Sequence, residues 1–269
     1  MQWVRFDNSG TPQFGVLRDG MIYPTMATWA DILIGMLPAA ESTGILPDSV
    51  PLLAPIGRPG KIVCVGKNYP EHARETKAEP PKSPILFAKF PSALNNPGGP
   101  LVWSGALTQG VDFEAELAVI IGRTARRVSE ADALSYVFGY TCANDVSARD
   151  LQFADGQWVR GKSLDTFGPM GPVLVTADEI PDPQTLALRS ELNGQIMQES
   201  HTSEMLFSVA FLIAYCSQSF TLEPGDVLLT GTPGGVGHFR EPPLHLKHGD
   251  VIAIEVERIG RLENTCVVE

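Results

Sequence analysis

The chain predicts a mixed, mainly β fold with a few helices and a small β-rich N-terminal subdomain. Short apolar or alternating runs, each closed by turn residues, recur through all 269 residues. Twenty-six glycines and 22 prolines punctuate them. No regular strand–helix alternation of the kind that builds a parallel βαβ sheet develops. This length buries a full core and divides most naturally into one large domain and an appendage, placed at residues 1–57 for the subdomain and 58–269 for the main domain.

Composition sets exclusions. Twenty Lys and Arg against 31 Asp and Glu give a net charge of −11, which argues against nucleic acid or an anionic membrane as partner. Cys64, Cys142, Cys216 and Cys266 are scattered without a CxxC pair, so buried, reduced thiols are expected rather than a zinc or redox site. The N-terminus has neither a basic segment nor an apolar core of the signal-peptide kind. The longest apolar stretch, Met205 to Cys216, is interrupted by Ser208 and too short to span a bilayer. A cytoplasmic location is the expectation.

The elements follow in order. Val4, Phe6, Phe14, Val16, Leu17, Met21 and Ile22 suggest a meander turning at Asp19-Gly20. A short helix over Ala27–Leu37 would be capped by Thr28. Pro47, Pro51, Pro55 and Pro59 make an extended linker. The main domain opens with strand Lys61–Val65, a turn at Gly66–Tyr69 and one or two helical turns over Pro70–Glu75; Ile85–Phe90 is a strand and Asn95–Pro100 a loop. Ser129-Glu-Ala-Asp132 has capping-box spacing and starts a helix to about Phe138. Gly139–Asn144 reads as a strand, Ser147–Ala154 as a helix, and Asp155-Gly156 as the start of a mobile-looking loop through Lys162 and Gly168. Strands at Val173–Val175 and Leu186–Arg189, a hairpin turn at Asn193-Gly194 and strand Val227–Thr230 follow. Ser203–Ser217 is the longest helical candidate, with Met205, Leu206, Val209, Leu212, Ile213 and Cys216 on one stripe. Val251–Val256 and Thr265–Val268 close the chain as a hairpin around Gly260.

The stretch Val111–Gly122 carries the first chemical signal. Read as a strand, it puts Phe113, Ala115, Leu117 and Val119 on one face and Asp112, Glu114 and Glu116 on the other. Aligned carboxylates repel one another and are costly to desolvate without a cation. Asp145, at the end of the strand Gly139–Asn144, can add a third ligand to Glu114 and Glu116. Such an oxygen-only set suits Mg²⁺, Mn²⁺ or Ca²⁺ rather than Zn²⁺. A solvated acidic face, with Asp145 capping the next helix, fits the same pattern. His72 and Glu75 lie three apart, so a helical turn puts them on one face as a base and its orienting carboxylate, or as a plain surface pair. His201, His238, His245 and His248 have no such partner and read as loop or surface residues.

Phe113–Val119, Gly139-Tyr140 through Asn144–Asp150, Gly161–Pro169 and Leu229–Gly237 together resemble the fumarylacetoacetate hydrolase family. The likeness is greatest to its short bacterial members, the acylpyruvate hydrolases and the oxaloacetate decarboxylases, and it runs from about Lys61 to the C-terminus. It implies a β-roll or β-sandwich catalytic domain, a homodimer, no organic cofactor, and a divalent metal (Mg²⁺ first) on Glu114, Glu116 and Asp145, with Asp112 in support. It places His72 and Glu75 on a lid as the catalytic pair and Lys162 opposite the substrate as a catalytic cation. Gln152, Arg149 and Thr232 would bind substrate, with backbone N–H groups near Thr232 holding its carboxylate end. The activity implied is hydrolysis of a C–C bond in a 2,4-diketo acid of the acylpyruvate type, through a metal-held enolate. Oxaloacetate decarboxylation, isomerisation or hydration of an unsaturated 2-oxo diacid, and an inactive metal- and oxo-acid-binding protein are the alternatives. The first 60 or so residues are smaller than the N-terminal domain of the long eukaryotic hydrolases, and Thr76–Lys82 is where substrate length would be sensed.

Overall fold

The computed structural model describes residues 1–36 and 40–269. Strands β1 (Gln2–Asn8), β2 (Thr11–Arg18) and β3 (Met21–Thr25) form the expected meander. Asp19 and Gly20 both take positive φ, 52° and 74°, the turn geometry that matches the right-handed twist of paired strands. Thr28 caps α1 (Trp29–Leu33) through a reciprocal box with Asp31. The helix is shorter than Ala27–Leu37, since Gly35 turns left-handed at φ 73°; Leu37 lies outside the described residues. The proline segment is not uniformly extended: it holds a 3₁₀ turn at Pro47–Ser49 and a short strand β4 (Leu52–Leu53) paired with β1.

Onward, the chain forms β5 (Ile62–Gly66), α2 (Pro70–Glu75), β6 (Ile85–Lys89), β7 (Leu94–Asn95), β8 (Leu101–Trp103), β9 (Val111–Asp112) and β10 (Ala115–Ile121). Then come α3 (Glu130–Ala133), β11 (Val137–Asn144), β12 (Ser147–Ala148), α4 (Arg149–Ala154), α5 (Val159–Lys162) and β13 (Gly168–Thr176). The chain ends with β14 (Ala187–Leu192), β15 (Gln195–His201), α6 (Val209–Ser219), β16 (Val227–Leu229), β17 (Val251–Val256) and β18 (Gly260–Val268). One large sheet runs β3-β2-β1-β13-β11-β10-β16-β5-β6, so β1 joins the N-terminal strands directly to β13. A second sheet runs β15-β14-β17-β18-β8.

The large sheet is apolar on both faces, which explains its near-continuous hydrophobic runs. Leu117, Val119 and Ile121 point into one core with the second sheet (Leu188, Ile254, Leu262) and α6 (Val209, Leu212, Ile213, Cys216). Ala118 and Ile120 point the other way, onto Trp3, Phe14, Ile32 and Ile56. The four cysteines are free and buried, as composition suggests.

Several helices differ from the sequence reading. The segment after Ser129 is helical only to Ala133, followed by a 3₁₀ turn to Tyr136, because β11 already starts at Val137. Ser147 and Ala148 pair with Asp112 and Val111 as strand, so the helix there begins at Arg149. Ser208 does not interrupt the long helix; its hydroxyl accepts from Phe211 N–H and starts α6, leaving Met205 and Leu206 before it. β18 begins at Gly260 itself, and the hairpin turns at residues 257–259.

Candidate active site

The acidic stretch is two strands, not one. β9 ends at Asp112 and β10 starts at Ala115, and the break at Phe113-Glu114 is where chemistry gathers. Glu114 N–H donates to Asn144 Oδ1 at 2.9 Å, and Asp145 N–H donates to Glu114 O at 3.0 Å. Ala115 pairs with Asn144 in the β10–β11 ladder, so Asp145 falls beside Glu114. The apolar partners Phe113, Ala115 and Leu117 fill the core behind. Carboxylate oxygens of Glu114, Glu116 and Asp145 thereby come within 4.8 Å of one another, all three residues buried.

Three cations answer this charge. Lys162 Nζ sits 2.7 Å from Glu114 Oε2 and 2.8 Å from Asp145 Oδ2. Lys89 Nζ donates to Asp145 Oδ1 at 2.6 Å and to Val146 O at 3.1 Å. Arg149 reaches Glu114 Oε1 at 2.7 Å and Asp112 Oδ2 at 2.9 Å. Burial alone would raise the Glu114 carboxyl, but Lys162 and then Arg149 hold it below the usual carboxylate range. Glu116 is different: among the described residues it makes no ion pair, it accepts Gly231 N–H at 2.7 Å, and it is held well above the ordinary range by burial, then by Asp145 and Glu114. Among the described residues, four buried carboxylates, counting Asp112, thus face three cations, and Glu116 is the one left without an ion pair. An oxygen-only cluster with this surplus fits a hard divalent cation.

Lys162 does not lie in a loose loop. It ends α5, wholly buried, with Nζ 5.1 Å from the Phe87 ring centroid. Gly161 makes this possible: a Cβ there would lie 2.6 Å from Gln152 N and 2.8 Å from Ala148 O, so only glycine lets α5 press against α4. Arg149 donates to Gln152 Oε1 at 3.1 Å, which orients the amide of Gln152.

His72 Nδ1 lies 3.3 Å from Glu75 Oε2 on α2, and Glu75 Oε1 accepts Gly235 N–H at 2.5 Å. His72, Glu114, Arg149, Gln152, Lys162 and Thr232 line one pocket. Phe87, Phe153, Trp158 and Phe239 form its aromatic walls. Glu75, Glu116 and Asp145 are absent from this lining. The glycine-rich run is used differently from a free backbone nest. Gly231, Gly235 and Gly237 N–H groups already donate to Glu116, Glu75 and Asp112, and Thr232 Oγ1 accepts from Gln198 Nε2 at 2.7 Å.

Sequence reasoning missed Lys89, Gln198 and Phe239. Lys89 closes an otherwise apolar strand, and that lone charge was its only signal. Gln198 ties Ala115 N–H, Ser190, Thr232 and Pro233 together from the second sheet, which no local pattern announces. Nor is every remaining histidine unpartnered: His238 Nδ1 meets His245 Nε2 at 3.1 Å, and the His238 ring packs on Phe153 and Phe239.

A mixed β fold that buries a carboxylate cluster next to a polar pocket with a His–Glu pair defines a small-molecule enzyme. Residues 61–267 match the family profile described as fumarylacetoacetate (FAA) hydrolase C-terminal, and the chain belongs to the fumarylacetoacetate hydrolase family. It is 48% identical over 221 residues to a Xenopus laevis protein named oxaloacetate tautomerase fahd2, mitochondrial, covering 81% of this chain and 69% of that one. A solved fumarylacetoacetate hydrolase from Exiguobacterium antarcticum superposes with a TM-score of 0.92 at 41% identity over the whole of both chains. A 2-hydroxyhepta-2,4-diene-1,7-dioate isomerase from Mycobacterium marinum gives 0.85 at 37% identity, covering 100% of this chain and 99% of that one. Among the described residues no helix is long and apolar enough to cross a membrane.

Proposed function

We propose that this enzyme moves a proton between carbon and oxygen in a 2-oxo acid, as in keto–enol tautomerisation of oxaloacetate. The observation that carries the reading is that His72, backed by Glu75, and Lys162, bound to the carboxylate cluster, line one pocket. The relatives named tautomerase and isomerase support the same reaction type.

Glu114, Glu116 and Asp145 would hold a divalent cation, with Mg²⁺ preferred over Mn²⁺ and Ca²⁺. When bound, that ion supplies Lewis-acid polarisation of the 2-oxo group. The protein does the proton work. Glu75 accepts from His72 Nδ1–H, which leaves Nε2 as the basic nitrogen. Nε2 takes a proton from the carbon next to the 2-oxo group; the C–H pair becomes the C=C bond and the C=O π pair moves onto the 2-oxo oxygen. The Lys162 ammonium hydrogen-bonds that developing oxyanion. A proton from solvent on that oxygen yields the enol, with His72 releasing its proton to solvent, and transfer of the His72 proton back to carbon returns the keto acid. Arg149, the Gln152 amide and the Thr232 hydroxyl bind the substrate carboxylate. A homodimer and a cytoplasmic location belong to the proposal too, the latter supported by four free buried thiols.

Hydrolysis of an acylpyruvate is the second reading, favoured by the hydrolase name of the Exiguobacterium protein. There His72 would deprotonate water for attack on the distal carbonyl. Assay of metal-loaded protein against enol-oxaloacetate and acylpyruvates separates the two. The expected result is faster enol loss, abolished by a chelator. Acylpyruvate cleavage with no effect on oxaloacetate tautomerisation would replace the first reading with the second, and metal and oxalate binding without any turnover would leave a binding protein.

A further inference from the structure

The turn between β5 and α2 is fixed on both sides. At Gly66 a Cβ would lie 2.7 Å from the Trp158 ring, so the indole packs directly on the backbone there. At Asn68, wholly buried, the side-chain amide donates to Thr230 O at 2.7 Å and Phe207 O at 3.0 Å, while its oxygen accepts Phe207 N–H at 2.9 Å. Lys67 is held between them at φ 55°, in the left-handed region. Glycine enters that region freely, whereas a residue with a Cβ is strained there. The turn alone gives no reason for a lysine in place of a glycine.

Lys67 lines the pocket together with Lys162 and Arg149. Those two are answered by carboxylates, Lys162 by Glu114 and Asp145, Arg149 by Glu114 and Asp112. Among the described residues the Lys67 ammonium has no ion pair and no hydrogen bond, although the chain carries an excess of 11 negative charges. Trp158 and Phe87 line the same pocket, and such apolar walls strengthen a charge–charge contact by excluding water. Glu114 is the one acid in the lining, and two cations already hold it. Lys67 is therefore, among the described residues, a lining cation that no carboxylate of the chain engages, apart from the cluster that takes the 2-oxo acid end.

We propose that Lys67 is a specificity-determining residue that receives a second carboxylate of the substrate, so that the enzyme selects 2-oxo diacids over monoacids of equal length. This rests on the 2-oxo acid reading of the site. Oxaloacetate and 2-oxobutanoate differ only in carboxylate against methyl at the far end, which makes them the probe pair. Calorimetry on Mg²⁺-loaded protein should show the wild type binding oxaloacetate roughly tenfold or more tightly than 2-oxobutanoate, as a charge-assisted contact warrants. Lys67→Met should shrink that preference to about twofold with 2-oxobutanoate binding unchanged, and Lys67→Arg should keep it. Lys67→Gly, which relieves the backbone, should match Lys67→Met in binding while melting no lower than wild type. A preference that survives in Lys67→Met, equal loss of both ligands, or a wild type without preference overturns the inference. A wild type that binds the diacid through Lys67 yet tautomerises no 2-oxo acid leaves it standing and overturns the reaction instead.

Discussion

Lys89 Nζ lies 2.6 Å from Asp145 Oδ1, and neither side chain has any exposure to water. Asp145 is thereby held through the oxygen that Lys162 does not pair with, and the Lys89 ammonium is tethered further by Val146 O. Removing one partner of a buried ion pair costs about 3–5 kcal/mol, since the other is left uncompensated. Lys89→Met should lower stability to urea by about 3 kcal/mol or more in metal-free protein. Added Mg²⁺ should restore part of the loss, because a cation on the cluster replaces the missing charge. A change under about 1 kcal/mol would show that Lys89 contributes no more than a surface pair.

How far the sequence reaches is clear from this pair. Glu114, Glu116 and Asp145 were legible because they lie at or beside the facing ends of β10 and β11, Glu116 on β10, Glu114 just before it and Asp145 just after β11, and the ladder from Ala115 to Asn144 brings them together. Lys89 was not, because its partner lies 56 residues away just past the end of β11, which reaches β6 through the sheet order β11-β10-β16-β5-β6. His72 and Glu75 were legible as neighbours on one helical turn, yet the anchor of Glu75 on Gly235 N–H spans 160 residues. Helix ends were the weakest part. Ser208 looked like a polar break in an apolar run, and only the geometry shows its hydroxyl capping α6.

His72 and Glu75 should separate chemistry from metal binding. Neither side chain belongs to the carboxylate cluster, so Mg²⁺ affinity by calorimetry should stay within about twofold of wild type in both variants. His72→Ala should lower kcat about 10²- to 10⁴-fold, the range a positioned general base contributes. Glu75→Gln should cost less, because the imidazole remains and only its orientation is relaxed. Unchanged kcat in His72→Ala would remove the histidine from the reaction.

Gly161 tests how Lys162 is delivered. In Gly161→Ala the new methyl would meet Gln152 N at 2.6 Å and Ala148 O at 2.8 Å, both main-chain atoms that cannot swing away. Overpacking of this kind costs about 1–3 kcal/mol, and it should push α5 and its Lys162 off the cluster. Thermal melting and kcat should therefore fall together. Gly156→Ala is the control: it has positive φ, 68°, but nothing within 4 Å, so about 1 kcal/mol of backbone strain and near-normal kcat are expected.

His238 gives the pH dependence a sign. Burial first, and then the Arg149 guanidinium, hold its imidazole below the ordinary 6.5. The folded protein therefore resists the proton that the unfolded chain accepts at that value. Stability should fall as pH drops below about 6.5 and should level off once the folded imidazole is also protonated. The half-buried ring packs on Phe153 and Phe239, so His238→Phe keeps an aromatic contact while removing the titration and the hydrogen bond to His245. Urea midpoints measured from pH 7.5 down to about 5 should decline less steeply in His238→Phe than in wild type. Parallel slopes would mean that another group carries the acid sensitivity in this window.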